Sequence, residues 1–284
     1  MTQIPEWLAK KAQEAEQKTK SKAASKPKAE VIQLPIWTEI ERAIPNHLAR
    51  SSLFAPIARG RRKYHDRQLL VSRSDVRIFH TGKQLDEADC DVAMQLFHLA
   101  RQYPLGDDIP VNRSELLRAI HRHTGKSDYQ WLSESIHRLH NSSIEIETLK
   151  PNGRGYHLVA LHLIDSFSRD SEEDTYYLRI DQRWIQLFSN AEFALVDWDK
   201  RFQIENRIDL AKRLQRLVAT SSDKIQRYSL EYLKEVCCYD SPMRKFKEAL
   251  EEAMIELERL NIIQNAKIEL STQGKEQACW NRFK

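Results

Sequence analysis

Glycine is scarce, with 7 in 284 residues, at positions 60, 82, 106, 125, 153, 155 and 274. Those spacings cannot build a Rossmann Gly-x-Gly-x-x-Gly, and the phosphate-loop-like Thr124-Gly125-Lys126-Ser127 has Ile120 where that loop needs its first glycine. The 4 cysteines, Cys90, Cys237, Cys238 and Cys279, form no Cys-x-x-Cys pair. That argues against a zinc module or a disulfide scaffold and for a reducing cytoplasm. No run approaches the ~18 apolar residues of a membrane-spanning helix, and the N-terminus lacks the apolar stretch of a signal peptide. No Ser/His/Asp set or carboxylate pair stands out locally, and Tyr176-Tyr177 lacks the His-x-His-x-x-x-His that a relaxase would set beside it. The expectation is a mildly basic binding protein, not an enzyme, with no metal or nucleotide cofactor.

What is present is charge and enough apolar residues for a core. Charged residues make up 30% and hydrophobic ones 41%, with a mean hydropathy of -0.63. The length suffices for two domains of roughly 100–200 residues each. Net charge is only +4, but residues 1–30 hold 7 Lys against 4 Glu. Such a stretch has too little apolar surface to offset its ordering entropy, so residues 1–63 read as a basic, largely disordered arm and linker. A second basic run, Arg59-Gly60-Arg61-Arg62-Lys63, ends it. Both runs are either simply solvated or an electrostatic grip on phosphates.

Regular patterning starts near Tyr64. Short β-prone runs at 68–71 and 76–80 precede a helix at 87–102, whose Ala93, Leu96, Phe97 and Ala100 recur at helical spacing. Asn112 or Ser114 can cap a helix carrying Leu116, Leu117 and Ile120. A second helix opens at Ser127 or Asp128, with Leu132, Ser135, Ile136 and Leu139 inward. Two alternating runs then flank Pro151-Asn152-Gly153, a strong hairpin signal, and a third strand follows at 175–180. The order recurs: helices at 182–188 and 204–220, a Ser229-capped one at 230–236, and a long one opened by Ser241-Pro242. A hairpin around Gly274 closes the chain. The fold class is therefore α+β, with tandem winged-helix domains (helix-turn-helix plus β-hairpin) at 64–181 and 182–284.

In a helix-turn-helix the second helix enters the major groove and presents its N-terminal half to base edges. The DNA-binding candidates are Lys126, Ser127, Tyr129, Gln130 and Arg138 in the first unit, and Ser241, Arg244, Lys245 and Lys247 in the second. Arg reads guanine bidentately, Gln reads adenine, and Ser and Lys hold phosphate. Arg154 crowns the first hairpin, and Arg61, Arg62 and Lys63 complete the set. His121 and His123 lack further metal ligands, Cys237-Cys238 are expected to be buried, and Trp131, Trp184, Trp198 and Trp280 read as core or interface anchors.

The run Ala43-Ile44-Pro45-Asn46-His47-Leu48-Ala49-Arg50-Ser51-Ser52-Leu53-Phe54 resembles the opening segment of the TrfA family of plasmid replication initiators. The similarity continues through residues 76–85, 136–146 and 228–265. The resemblance implies a bacterial, plasmid-encoded, cytoplasmic protein that binds direct repeats (iterons) in double-stranded origin DNA through two winged-helix domains. It also implies opening of an AT-rich segment, recruitment of host replication proteins (DnaA, the replicative helicase and the β sliding clamp) and a homodimer as the inactive form. Family relatives carry a clamp-binding Gln-Leu-x-Leu-Phe in the arm, to which Gln33-Leu34-Pro35-Ile36-Trp37 is similar except at Pro35 and Trp37. Gln33, Leu34, Ile36 and Trp37 either bind that partner or dock back on the first domain. A winged-helix transcription regulator is the alternative within DNA binding, and a nucleic-acid-processing enzyme is the alternative outside it.

Overall fold

Residues 32–57, 62–150, 154–189, 192–205 and 207–283 are described by a computed structural model; Arg61, Asn152 and the lysines of the first 31 residues lie outside them. The first elements are β1 (Glu41–Pro45), α1 (Asn46–Ala49) and β2 (Phe54–Ala55). Next come β3 (Tyr64–Leu70), β4 (Val76–Lys83) and β5 (Leu85–Asp86). They lead into α2 (Glu87–Ala100), β6 (Asp108–Asn112), α3 (Arg113–Ala119) and α4 (Lys126–His140). A hairpin of β7 (Ser143–Leu149) and β8 (Tyr156–His162) precedes another of β9 (Ser166–Asp170) and β10 (Thr175–Arg179). Then follow α5 (Trp184–Phe188), β11 (Phe193–Asp197), α6 (Trp198–Gln203) and α7 (Asp209–Ala219). The chain closes with β12 (Ile225–Ser229), α8 (Leu230–Val236), α9 (Met243–Arg259), β13 (Ile263–Leu270) and β14 (Glu276–Arg282).

The order helix, short strand, helix, helix, hairpin thus occurs twice, but the strands pair differently. In the second half β12 joins its own hairpin, giving the order β12-β14-β13. In the first half β6 pairs instead with β10, and the hairpin is extended by β4 and β3 into the order β3-β4-β7-β8. The second core is built from the predicted stripe of α9, with Phe246, Leu250, Ala253 and Leu257 fully buried against Leu214 of α7 and Leu233 of α8. Trp280 closes it, its indole N–H donating to Gln226 Oε1 at 3.0 Å, so the ring's one polar atom is satisfied. Ser229 caps α8 as expected, accepting from the Tyr232 N–H at 3.2 Å. Ser241 does not cap α9: the cap residue is Pro242, with no side-chain bond. Likewise α4 starts at Lys126 behind Gly125, a residue before Ser127.

A larger correction concerns residues 33–57, expected to belong to the arm and linker. Ile44, Leu48 and Phe54 are at most 1% exposed. β1 pairs antiparallel with β11, from Glu41↔Asp197 to Pro45↔Phe193, so a strand before the first half is held by one that opens the second. Its apolar run Ala43-Ile44 is short, and only the distant partner makes it a strand.

What joins α2 to α6 and α7 is a buried ion-pair network. Glu87, 1% exposed, accepts from Arg201 at 3.0 Å and from Arg216, both guanidiniums having no solvent access. One turn on, Asp91 accepts from Arg201 and from Lys212 at 3.1 Å. The same arginine row fastens the segment after α1: Arg213 donates to the carbonyls of Ala49 (2.8 Å) and Ser51 (3.1 Å), and Arg216 to that of Phe54 (3.0 Å). Burial alone would push Arg201 toward neutrality, but Asp91 and Glu87 reverse this and raise its pKa above the ordinary value. Removing one partner from such a network strands the other's charge. Glu87→Gln should therefore lower the unfolding free energy by about 3–5 kcal/mol in urea titrations. A loss below about 1 kcal/mol, the value of an exposed pair, would contradict the network's role.

The 33–39 segment is also packed. Leu34 is 2% and Trp37 6% exposed, while Ile36 points out at 85%. Gln33 Nε2 donates to the carbonyl of Arg101 at 2.8 Å, and Trp37 Nε1 to His98 Nδ1 at 3.0 Å. The Trp37 ring stacks on Phe188 of α5, 6.0 Å between centroids. His98 Nε2 lies 2.9 Å from Glu39, which also pairs with Arg101. A peptide that seats its anchors in a partner's groove must present them; here Gln33, Leu34 and Trp37 are packed as a strap on the end of α2, the docked-back alternative of the two. Leu34→Ala should cost about 2–5 kcal/mol of stability, read as a lowered melting temperature. Burial, followed by the Arg42 charge, pushes His98 down to about 4 from an ordinary 6.5. The unfolded chain then binds the extra proton first, so this stability is present above pH 6.5 and lost as pH falls toward 4. His98→Gln should flatten part of that decline in melts taken between pH 7 and pH 4.5; an unchanged slope would rule the residue out.

Candidate nucleic-acid interface

α3 begins where the Asn112 side chain accepts from the Glu115 N–H at 3.1 Å, and its exit runs through His121, in the left-handed region at φ 54. The turn that follows sets α4 so that Leu132, Ser135, Ile136 and Leu139 are buried. Their spacing leaves Lys126, Ser127, Gln130 and Glu134 on the outer face, all exposed. Gln130 Nε2 donates to Glu134 at 3.2 Å, a bond that an adenine edge can replace. Tyr129 is half-buried, with the Arg113 guanidinium over its ring at 4.5 Å, and so supports the turn instead of reaching outward.

Two of the expected DNA contacts are internal. Arg138 pairs with Asp89 at 2.8 Å, and Arg62 pairs with Asp86 and, at 2.8 Å, with the same Asp89. Asp86 and Asp89 form the capping box of α2, each accepting from the other's backbone N–H. Burial and the charge of Asp89 push Asp86 up to about 6, against the pull of Arg62. The two arginines are thus needed to balance a carboxylate pair of which Asp89 is fully buried and Asp86 partly so. A sequence reading cannot tell this from a phosphate contact, because the carboxylates belong to another element.

Lys63 is exposed and meets Asp240, in the turn before α9, at 3.1 Å. Arg154, in the β7–β8 connection, is exposed, as is Lys150 on its other side. Residues that the sequence reading passed over are Arg118, exposed at the end of α3, and Arg122, which lies over the Trp131 ring at 3.4 Å and pairs with Asp128 at 3.4 Å. Their signal was position, since both flank the turn that opens α4.

α9 carries the sharpest charge pattern. Arg244 and Lys245, in its first turn, have side chains 77% and 55% exposed, and both reach Glu248 at 2.9 Å. Ser241 is exposed just before them, and Lys247 is tied to Glu276 of β14 at 2.5 Å. Glu251 and Glu252 follow on the exposed side, and no acidic residue stands in the first turn. This order opposes the helix macrodipole, which favours acids first and bases last. It also opposes the better orientation of an i,i+4 pair, Glu before Lys. Cys237, at the end of α8, is buried, and burial pushes its thiol up to about 12, which removes it as a nucleophile. Among the described residues, no His, Cys, Asp and Glu side chains gather in threes as a metal site needs. No described helix is long and apolar enough to cross a membrane.

Two crystal structures of RctB domains 2 and 3 resemble the fold. One has a TM-score of 0.56 at 15% identity, covering 85% of this chain and 99% of that one; the other has 0.51 at 15%, covering 84% and 96%. At that identity the likeness concerns the fold alone. In sequence, the plasmid replication initiator protein TrfA of Escherichia coli is 25% identical over 279 residues, 92% of this chain and 69% of that protein. The TrfA protein family model matches residues 3–271, spanning both halves and both candidate helices. The chain belongs to the TrfA family of plasmid replication initiators.

Proposed function

We propose that the chain is a non-enzymatic initiator that binds iterons in double-stranded origin DNA through two winged-helix units, with α4 and α9 as the recognition helices. The carrying observation is the first turn of α9, where Arg244 and Lys245 stand exposed against the helix dipole. Stability does not account for that placement, but a polyanion at the helix N-terminus does, because it meets both the cations and the free N–H groups. Glu248 holds the two side chains extended until phosphate or a guanine edge replaces it. The acidic remainder of α9 keeps the duplex to the N-terminal end. In this reading the protein acts in the bacterial cytoplasm, opens an AT-rich segment, recruits DnaA, the replicative helicase and the β sliding clamp, and is held inactive as a homodimer. Those steps rest on the family resemblance. The strap of residues 33–37 is not used for the clamp.

The test is a footprint and a binding titration on the plasmid's own origin beside a scrambled duplex of equal length. Arg244→Ala should lose about 1–3 kcal/mol on the origin duplex and much less on the scrambled one. Arg138→Ala should instead lower the melting temperature with little change in origin specificity. Equal losses on both duplexes for Arg244→Ala would reduce it to a backbone contact and remove α9 as the reading helix.

A further inference from the structure

The short helix α6 grips both candidate reading units. Its start is fixed by the Asp197 side chain, which accepts from the Lys200 N–H at 3.0 Å, and by the Trp198 N–H, which donates to the Ile40 carbonyl at 3.0 Å. Trp198 and Phe202 share one side of it, their rings edge to face with 4.9 Å between centroids. That side meets the end of α3. The Trp198 indole N–H donates to the Ala119 carbonyl at 2.9 Å, and Phe202 stacks on His121 with 4.3 Å between centroids and 6° between planes. His121 is the left-handed residue through which the chain turns toward α4. The rest of α6 and its exit meet the far end of α9. Lys200 Nζ donates at 2.9 Å to the carbonyl of Asn261, in the turn between α9 and β13, and Arg259 donates to the Gln203 carbonyl at 2.8 Å. The Glu205 N–H donates to Glu256 at 2.7 Å, and Ile204 beside it enters the second core.

Both grips lie away from the outward residues of α4 and α9 and control where those residues stand. The second half of α4 is fastened to α2, Ser135 and Arg138 bonding Asp89 at 2.6 Å and 2.8 Å. Its opening, with Lys126, Ser127 and Gln130, instead follows the turn that Phe202 holds. In α9 the gripped end is the one opposite Arg244, about 23 Å away at 1.5 Å per residue. A tilt of about 10° at that end would carry Arg244 by roughly 4 Å, more than the ~3.4 Å rise of one base pair. We propose that α6 is a ruler that fixes the separation and relative turn of the two recognition helices, so that the protein selects the spacing between the half-sites they read. Phe202 and Arg259 are then positioning residues that touch no DNA. The inference rests on the DNA-binding reading above.

The probes are origin duplexes whose two footprinted half-sites are moved apart or together by one or two base pairs, beside a scrambled duplex. Each base pair turns one half-site by about 35° and shifts it by about 3.4 Å. The unmutated protein should prefer the native spacing over a one-pair change by about tenfold or more. Phe202→Leu, which removes the stack and keeps apolar bulk, and Arg259→Gln should each flatten that preference to about threefold or less, with binding to the scrambled duplex unchanged. Phe202→Tyr, which keeps the ring, should retain the full preference. A merely structural residue would lower affinity by one factor at every spacing and leave the shape of the profile as it was. If Phe202→Leu melts early, Arg259→Gln decides, its side chain being 48% exposed. A preference that stays sharp in both variants, that Phe202→Tyr loses equally, or that is already flat in the unmutated protein overturns the ruler and leaves the DNA reading standing. Unmutated protein that does not distinguish the origin from the scrambled duplex overturns the DNA reading along with it.

Discussion

Glu87 is a carboxylate with almost no access to water, held between two guanidiniums that have none. Three elements meet there. α2 contributes the acid, α6 and α7 contribute the arginines, and Arg216 of α7 also reaches the carbonyl of Phe54 in β2. A hydrophobic contact tolerates sliding, but a buried guanidinium–carboxylate pair does not, because each lost hydrogen bond leaves a desolvated charge. The network contributes little net energy relative to a well-packed apolar alternative. What it does is fix the angle between α2 and α7, and through them the placement of α4 and α9.

The molecule uses its cations in two distinct ways. Arg62, Arg138, Arg201 and Arg216 neutralise buried acids, and their removal is felt as instability. Arg244, Lys245 and Lys126 stand on exposed helix openings, and the first two meet only the rim carboxylate of Glu248 among the described residues. Exposed pairs such as Arg244–Glu248 are worth only about 0.3–0.5 kcal/mol and exchange readily for a phosphate. The division explains how a chain with a net charge of only +4 can still present concentrated positive ends.

Local features were legible and distant ones were not. The α9 stripe, the hairpin around Gly155, the Ser229 cap and the twofold order of elements all follow from periodicity and turn chemistry within a short window. β9 was missed because Ser166-Phe167-Ser168-Arg169-Asp170 is too polar to read as a strand, and only pairing with β10 makes it one. β1 and β11 were missed because, among the described residues, each is the other's only sheet partner across some 150 residues of chain. Of the candidate site, the outward residues of α4 and α9 came from their position relative to an apolar stripe. Arg62 and Arg138 were misassigned because whether a cation faces solvent or a carboxylate depends on an element elsewhere in the chain. Leu34 and Trp37 were ambiguous for a related reason: an apolar anchor looks the same whether its groove is its own protein's or a partner's.

The β1–β11 pairing has a consequence for biogenesis. Emerging from the ribosome, residues 41–55 find neither their strand partner nor the arginines that hold their carbonyls until residues 193–216 have been made. The apolar faces of α2 and of the β3-β4-β7-β8 sheet are synthesised well before that closure. Closing so long a loop is entropically slow, and the waiting nascent chain exposes surface that can associate wrongly. The two halves therefore mature together, once residues 193–216 are available, and not one after the other.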